Sequence, residues 1–237
     1  MDKYIKFVGN SKSKNLIISF GPVNCWGTKY FNLDSSYVML VRNNNFMTFV
    51  DEKKHEDLFS LLLQHMKSLI DRIKPKYTIS YGSSAGGFLA LLYGHHLKVN
   101  EIHALNPFST YDHYDPDLDI YRESGFNGTK WDINSKQISD ILKPDLEKTE
   151  LLNLTNIVFS SNAYVYYSNG VIDQFNAIRL IGVTLIHVND KSHLAPYLMF
   201  RYFKIYDKIF DGSFDEFIKK HNYELEVDPD ILYFERY

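Results

Sequence analysis

Short apolar segments alternate along the chain with longer segments in which apolar residues recur every three or four positions. The short segments are rich in β-branched residues and stop at turn-forming residues, a pattern that predicts buried strands. They cover residues 15–20, 37–41, 77–81, 101–105, 156–161 and 183–188. The longer segments predict four helices. They cover about residues 51–74, the segment from the glycine-rich turn at 82–87 to about residue 97, and residues 171–181 and 194–209. Strands that alternate with helices favour an α/β fold, with a mostly parallel central sheet and helices on both faces.

The alternation stops after Pro107. Residues 108–150 are polar and aromatic and show little periodicity, which is typical of a cap or binding insertion in a compact α/β chain. No internal repeat or linker divides the sequence, so we expect a single domain over residues 1–237 with a cap-like insertion at 108–150. The final 25 residues mix charged and aromatic side chains, and their pattern places no element.

Composition and charge exclude several classes of protein. The 237 residues contain 26 Lys and Arg against 29 Asp and Glu, a net charge of −3 that provides no field for non-specific nucleic-acid binding. The lone Cys25 can form neither an internal disulfide nor a cysteine-based zinc cluster. No apolar run approaches the ~20 residues that a membrane span needs, and the first 15 residues lack a signal-peptide pattern. We therefore expect a cytoplasmic protein with no nucleic-acid partner.

The clearest chemical motif is Gly82-Ser83-Ser84-Ala85-Gly86, which fits G-x-S-x-G and lies between a predicted strand and a predicted helix. In that context a tight turn holds the central serine in a strained conformation and projects its hydroxyl above the sheet edge. The N-terminus of the following helix favours negative charge that develops there. The motif predicts Ser84 as a nucleophile; the alternative is a plain tight turn.

A nucleophilic serine needs a base and an orienting acid, which follow in the order serine, acid, histidine. His193 lies in the loop after the strand that ends at Val188, whereas His187 alternates with apolar residues inside that strand. We therefore predict His193 as the base. Asp173 is the favoured acid because it lies in the connection between two predicted strands. Two alternatives stay open: Asp190, which is only three residues before His193, and an acid that is missing or comes from elsewhere.

An oxyanion hole needs two backbone N–H groups. The first is expected from Ala85, directly after the nucleophile, and the second from the loop Gly21-Pro22-Val23. Since proline has no N–H, Val23 or Gly21 has to supply it. The absence of an HGGG-type motif argues against a lipase for bulky esters.

Aromatic side chains offer candidate substrate contacts. Tyr111, Tyr114 and Trp131 in the insertion, together with Tyr164, present flat rings that suit stacking on sugar faces. Packing of the insertion against the core is an equal alternative. No metal site is expected: the acidic run at 115–119 lacks the glycine and distal glutamate of a calcium loop, and His95-His96 is best explained by the end of a helix.

The chain resembles the α/β-hydrolase superfamily over roughly residues 15–210. The resemblance lies in Ile17-Ile-Ser-Phe-Gly-Pro22, in Tyr81-Gly-Ser-Ser-Ala-Gly-Gly87 and in Leu105-Asn-Pro107. More loosely, the chain is similar to O-acetyltransferases of that fold from bacterial capsule and surface-polysaccharide loci. The resemblance implies an α/β-hydrolase fold. No cofactor is expected, since the sequence contains neither a Walker motif nor a dinucleotide-binding fingerprint.

Three functions agree with these features. The first is an esterase that acts on a small acyl ester through Ser84, His193 and Asp173 and an acyl-enzyme intermediate. The second is an O-acetyltransferase that uses acetyl-CoA as co-substrate and a glycan as acceptor. The third, from another class, is a catalytically inactive binding or assembly protein in glycan biosynthesis.

Overall fold

The computed structural model describes residues 4–22, 26–28, 31–42, 50–51, 56–107, 154–159 and 162–226. Its strands are β1 (Ile5–Gly9), β2 (Asn15–Phe20), β3 (Tyr37–Val41), β4 (Val50–Asp51), β5 (Glu56–Asp57), β6 (Tyr77–Ser83), β7 (Glu101–Leu105), β8 (Ala163–Ser168), β9 (Thr184–Asn189) and β10 (Glu224–Glu226). Its helices are α1 (Leu58–Ile73), α2 (Ala85–Leu97), α3 (Val171–Ile178), α4 (Ala195–Tyr202), α5 (Ile205–Asp211) and α6 (Phe214–Lys220), with a 3₁₀ turn at Leu154–Asn156.

Eight strands form one sheet in the order β1-β3-β2-β6-β7-β8-β9-β10, while β4 and β5 form a separate antiparallel pair. Only the first pairing in the large sheet, β1 with β3, is antiparallel. Strands buried on both faces consist of continuous apolar residues rather than alternating ones, and β2, with the sequence NLIISF, is buried from its second residue onward. The predicted mostly parallel α/β sheet is confirmed.

Helices cover both faces of the sheet and enclose two apolar cores. One core joins the sheet to α1, α2 and α3, and includes Met66, Leu91 and Ala177. The other joins it to α4, α5 and α6, and includes Phe200 and Ile209. Helix α2 is buried over its first ten residues, as expected for a helix that is apolar on all sides. No helix in the described part of the chain is long and apolar enough to cross a membrane.

Several element boundaries differ from the sequence prediction. The strand expected at 156–161 is replaced in the sheet by β8 at 163–168; within the described residues 156–159, Asn156 ends a 3₁₀ turn and Val158 forms an isolated bridge with Ile181. The helix predicted at 194–209 is two helices, because Lys204 adopts a left-handed φ of 46° between them. The elements that were not predicted are strands β1, β4, β5 and β10 and helix α6. The proposed insertion at 108–150 lies outside the described residues.

Candidate active site

Ser84 forms the turn between β6 and α2, at the carboxyl edge of the sheet. Its φ of 55° and ψ of −123° lie in a region that L-residues with side chains rarely occupy. Two backbone hydrogen bonds hold the turn: the Ser84 N–H donates to the Leu105 carbonyl (2.8 Å), and the Phe88 N–H donates to the Ser84 carbonyl (3.1 Å). The strained turn expected from the G-x-S-x-G motif is therefore present, with Ser84 half-buried at its apex.

The two flanking glycines leave no room for a side chain. A Cβ at Gly82 would lie 2.0 Å from the Gly86 carbonyl oxygen, and a Cβ at Gly86 would lie 2.5 Å from the Phe20 carbonyl oxygen. These distances are far below van der Waals contact, and the obstructing atoms are backbone. The spacing of the glycines in the motif is thus required by the packing of β6 and α2 against each other and against β2.

Asp173 and His193 meet at the same carboxyl edge. Asp173 lies in the first turn of α3, after β8, and His193 lies in the loop between β9 and α4. His193 Nδ1 is 2.8 Å from Asp173 Oδ1, and Asp173 is only 3% exposed. An ionised carboxylate can only accept hydrogen bonds, so Nδ1 carries the proton and donates it. Nε2 is then the ring nitrogen that can accept a proton.

The second carboxylate oxygen of Asp173 is also engaged. Ser168, the last residue of β8, donates its hydroxyl to Asp173 Oδ2 at 2.6 Å. Hydrogen bonds on both oxygens fix the rotation of a carboxylate, and burial strengthens them. Asp173 is consequently held in one orientation toward His193.

The alternative acid and base have other partners. Asp190 Oδ1 accepts the backbone N–H of Ser192 at 2.6 Å, within its own turn. His187 contacts the Asn169 side chain through Nε2, and its Nδ1 is 3.3 Å from Glu224 on β10. None of these contacts involves Ser84, Asp173 or His193. Within the ranges described above, no three histidine, cysteine, aspartate or glutamate side chains come together as metal ligands would.

Two residues at this edge were not predicted as site residues: Asn106 and Ser168. Asn106 directly follows β7, is 1% exposed and has a φ of 41°. Its side-chain amide donates to the His193 carbonyl (2.6 Å) and to Ser168 Oγ (3.1 Å). The only sequence signal was the Asn-Pro dipeptide after a strand, which by itself indicates a turn.

The expected oxyanion donors have three different outcomes. Ala85 is the first residue of α2, and the first N–H groups of a helix have no partner within it. The expectation for Gly21 is wrong, because its N–H donates to the Val41 carbonyl at the end of β3 (3.1 Å). Val23 lies outside the described residues. Ala85 therefore remains as a candidate donor of known position.

Tyr164 does not lie at the candidate site. It is near the amino end of β8, stacks on His103 at 5.1 Å and donates its hydroxyl to Asp215 at 2.9 Å. Burial, followed by the hydrogen bond to Asp215, raises the pKa of Tyr164. Its expected role as a substrate contact is corrected, since Ser84 lies at the opposite, carboxyl edge of the sheet. Tyr111, Tyr114 and Trp131 lie outside the described residues.

Comparison with known proteins identifies the fold. No family model and no curated protein matches the chain. An S-formylglutathione hydrolase from Agrobacterium tumefaciens aligns with 84% of this chain and 88% of its own, at 11% identity and a TM-score of 0.54. A putative esterase from Staphylococcus aureus aligns with 81% of this chain and 73% of its own, at 12% identity and a TM-score of 0.53.

A third solved structure is similar at a lower score. It is a capsule O-acetyltransferase of Neisseria meningitidis serogroup A, which aligns with 84% of this chain and 89% of its own, at 16% identity and a TM-score of 0.48. At these identities the similarity establishes architecture and nothing finer. The chain has the α/β-hydrolase fold.

Proposed function

We propose that the protein is a serine-dependent acyl-transfer enzyme that hydrolyses small acyl esters. The observation that carries the proposal is the contact between the buried Asp173 and His193 at the same sheet edge as Ser84. A strained serine, a histidine whose tautomer is fixed and a buried carboxylate are the groups that nucleophilic acyl transfer needs. These three residues would act together, with Ser84 as the nucleophile, His193 as the base and Asp173 as the acid.

In the first half-reaction, Ser84 Oγ attacks the carbonyl carbon of the ester, and its proton moves to His193 Nε2. The carbonyl oxygen gains negative charge beside the N-terminus of α2, where the Ala85 N–H can donate to it. The tetrahedral intermediate then releases the alcohol, which takes the proton from His193. Asp173 stabilises the imidazolium that forms in between and keeps Nδ1 protonated.

In the second half-reaction, water takes the place of the alcohol. His193 accepts a proton from the water as its oxygen attacks the acyl-Ser84 carbonyl, and returns that proton to Ser84 Oγ when the acid leaves. If a sugar hydroxyl attacks in place of water, the same steps make an acetyltransferase with acetyl-CoA as donor. If the chain is instead a catalytically inactive binding or assembly protein, neither reaction occurs.

Steady-state hydrolysis of p-nitrophenyl acetate tests the proposal. We expect Ser84→Ala to lower kcat by a factor on the order of 10⁶, because the remaining residues of such a set contribute little without the nucleophile. Ser83→Ala is the matched control: it removes an adjacent hydroxyl and should keep the activity. A wild-type protein that is folded but inactive, or a Ser84→Ala variant as active as wild type, would contradict the proposal.

Product analysis separates hydrolysis from transfer. The protein is incubated with acetyl-CoA, with and without candidate surface glycans, and free acetate and acetylated glycan are both measured. Acetate as the main product in both mixtures supports the esterase. Acetylated glycan that depends on Ser84 would assign the acetyltransferase instead.

A further inference from the structure

Asn106 is a buried amide at the point where three parts of the fold meet. Its Nδ2 donates to the His193 carbonyl (2.6 Å) and to Ser168 Oγ (3.1 Å), and its Oδ1 accepts the Ser168 N–H (2.9 Å). Both amide protons and the carbonyl oxygen are therefore used. The side chain links the end of β7 to the end of β8 and to the loop that carries His193.

The contact with Ser168 extends to the acid. A serine hydroxyl has one proton and can accept as well as donate. Because Asn106 donates into Ser168 Oγ, the Ser168 proton points to its other neighbour, Asp173 Oδ2, at 2.6 Å. Asp173 Oδ1 is thereby left to face His193. One amide thus contacts the histidine loop directly and the aspartate through a single hydroxyl.

The turn that carries Ser84 is also hydrogen-bonded to the end of β7. The Ser84 N–H donates to the carbonyl of Leu105, the residue immediately before Asn106. Asn106 itself is fixed to β8, since its N–H donates to the Tyr166 carbonyl at 2.7 Å. Two consecutive residues at the end of β7 therefore hold the serine turn on one side and the histidine loop on the other.

We propose that Asn106 is a positioning residue, which sets His193 and Asp173 relative to Ser84. The inference rests on the proposed function, because it concerns the same acyl transfer. Asparagine suits the position for two reasons: it tolerates the observed φ of 41°, and it offers two donors and an acceptor on a short side chain. An aspartate would keep the backbone conformation and the acceptor but lose both donors.

The first experiment compares Asn106→Gly with wild type in p-nitrophenyl acetate hydrolysis. Glycine accepts a positive φ, so this change removes the amide without adding backbone strain. A displacement of about 1 Å between reacting groups can cost about 100-fold in rate. We expect kcat to fall about 10- to 100-fold with KM nearly unchanged, and Asn106→Asp to lose as much.

The matched control is Asn162→Gly. Asn162 also has a positive φ, of 78°, but it lies at the opposite edge of the sheet, where its amide donates to the Asn100 carbonyl. This variant should keep the wild-type kcat. Thermal unfolding of both variants shows how much of any loss comes from stability alone.

The second experiment needs no reaction. Proton NMR detects ring N–H groups that are hydrogen-bonded to carboxylates. In the described part of the chain, His193 Nδ1–H on Asp173 and His103 Nε2–H on Glu101 are expected to give such signals. His193→Gln assigns the first signal, and the buried His103 is an internal reference. We expect Asn106→Gly to accelerate solvent exchange of the His193 proton and leave the His103 proton unchanged.

The outcomes separate the inference from the proposed function. If wild type hydrolyses the ester and Asn106→Gly keeps its kcat, the positioning role is overturned and the esterase stands. If wild type is inactive, the proposed function fails, and the NMR comparison alone decides the inference. A His193 proton that exchanges as slowly in Asn106→Gly as in wild type overturns it in either case.

Discussion

Asp173 Oδ1 lies 2.8 Å from His193 Nδ1 although Asp173 belongs to a helix rather than to the loop directly after β8. Side chains in the first turn of a helix point back toward its N-terminus. Helix α3 begins at residue 171, just beyond the end of β8, so its first turn returns the carboxylate to the edge of the sheet. The N-terminus of α3 also favours the negative charge.

Replacing the acid should separate Asp173 from Asp190. Asp173→Asn keeps the shape of the side chain but removes the obligatory acceptor, so the imidazole can be held in the wrong tautomer. The expected loss in kcat is on the order of 10⁴. The Asp190 carboxylate accepts a backbone N–H within its own turn, so Asp190→Asn should cost little activity. A silent Asp173→Asn together with a damaging Asp190→Asn would reverse the assignment.

The strain at Ser84 predicts a gain in stability when it is released. A residue held in a sparsely populated backbone region costs of order 1–3 kcal/mol, and glycine avoids that cost. We expect Ser84→Gly to be more stable than Ser84→Ala by about 1 kcal/mol, after allowing for the greater chain entropy of glycine. Urea unfolding measures the difference.

Ser83 provides the matched pair for that measurement. It lies in β6, next to Ser84, and is not among the described residues with positive φ. Ser83→Gly should therefore be less stable than Ser83→Ala, because glycine weakens a strand. If Ser84→Gly is also less stable than Ser84→Ala, as expected at position 83, the backbone at Ser84 is not strained.

Glu101 predicts a pH dependence of stability. Burial alone would raise its pKa, but the hydrogen bond and charge of His103, together with the Tyr77 hydroxyl, lower the pKa below its ordinary 4.5. A carboxylate whose pKa is lower in the folded state stabilises it above pH 4.5, and this contribution is lost as the pH falls through the folded value. Glu101→Gln should therefore lose stability at neutral pH.

The same variant should show a shallower fall of the unfolding free energy between neutral pH and about pH 3, measured by urea unfolding at each pH. Glu216→Gln, on the exposed surface of α6, is the control and should follow wild type. A wild-type slope in Glu101→Gln would contradict the account of the Glu101–His103 pair.

The acyl group is expected to be short. The aromatic residues predicted in the insertion, Tyr111, Tyr114 and Trp131, carry polar groups on their rings that a tunnel for a lipid chain would not need. The ratio kcat/KM for p-nitrophenyl esters should decrease from acetate to octanoate. A preference for octanoate would contradict the expectation.

Local constraints explain which parts of the fold the sequence predicted. Strand β3 is a continuous apolar run and β2 and β7 are mostly apolar, so the pattern itself indicates their burial. Strand β8 was placed too early because residues 156–161 and 163–168 both have a sequence pattern typical of a strand. Pairing of Ala163 with Ile102 on β7 selects the second segment, and that contact is not visible in a local pattern.

In the candidate site, too, local features could be predicted from the sequence, and contacts between distant elements could not. The turn at Ser84 could be predicted because Gly82 and Gly86, which make it possible, lie within the motif. The hydrogen bond of the Gly21 N–H could not be predicted, because its acceptor is on β3. The contacts of the Asn106 amide could not be predicted either, because its partners are on β8 and in the loop that carries His193. The catalytic roles of Ser84, His193 and Asp173 stay predictions.

Labelling with a fluorophosphonate probe tests the central claim most directly, because the probe reacts with activated serines whatever the natural substrate is. Wild type, Ser84→Ala and Ser83→Ala are compared after each is shown to be folded, and peptide mass spectrometry locates the adduct. We expect labelling of wild type and Ser83→Ala, an adduct on Ser84, and no labelling of Ser84→Ala. Absence of labelling in folded wild type, or equal labelling of Ser84→Ala, would contradict the assignment of Ser84 as the nucleophile.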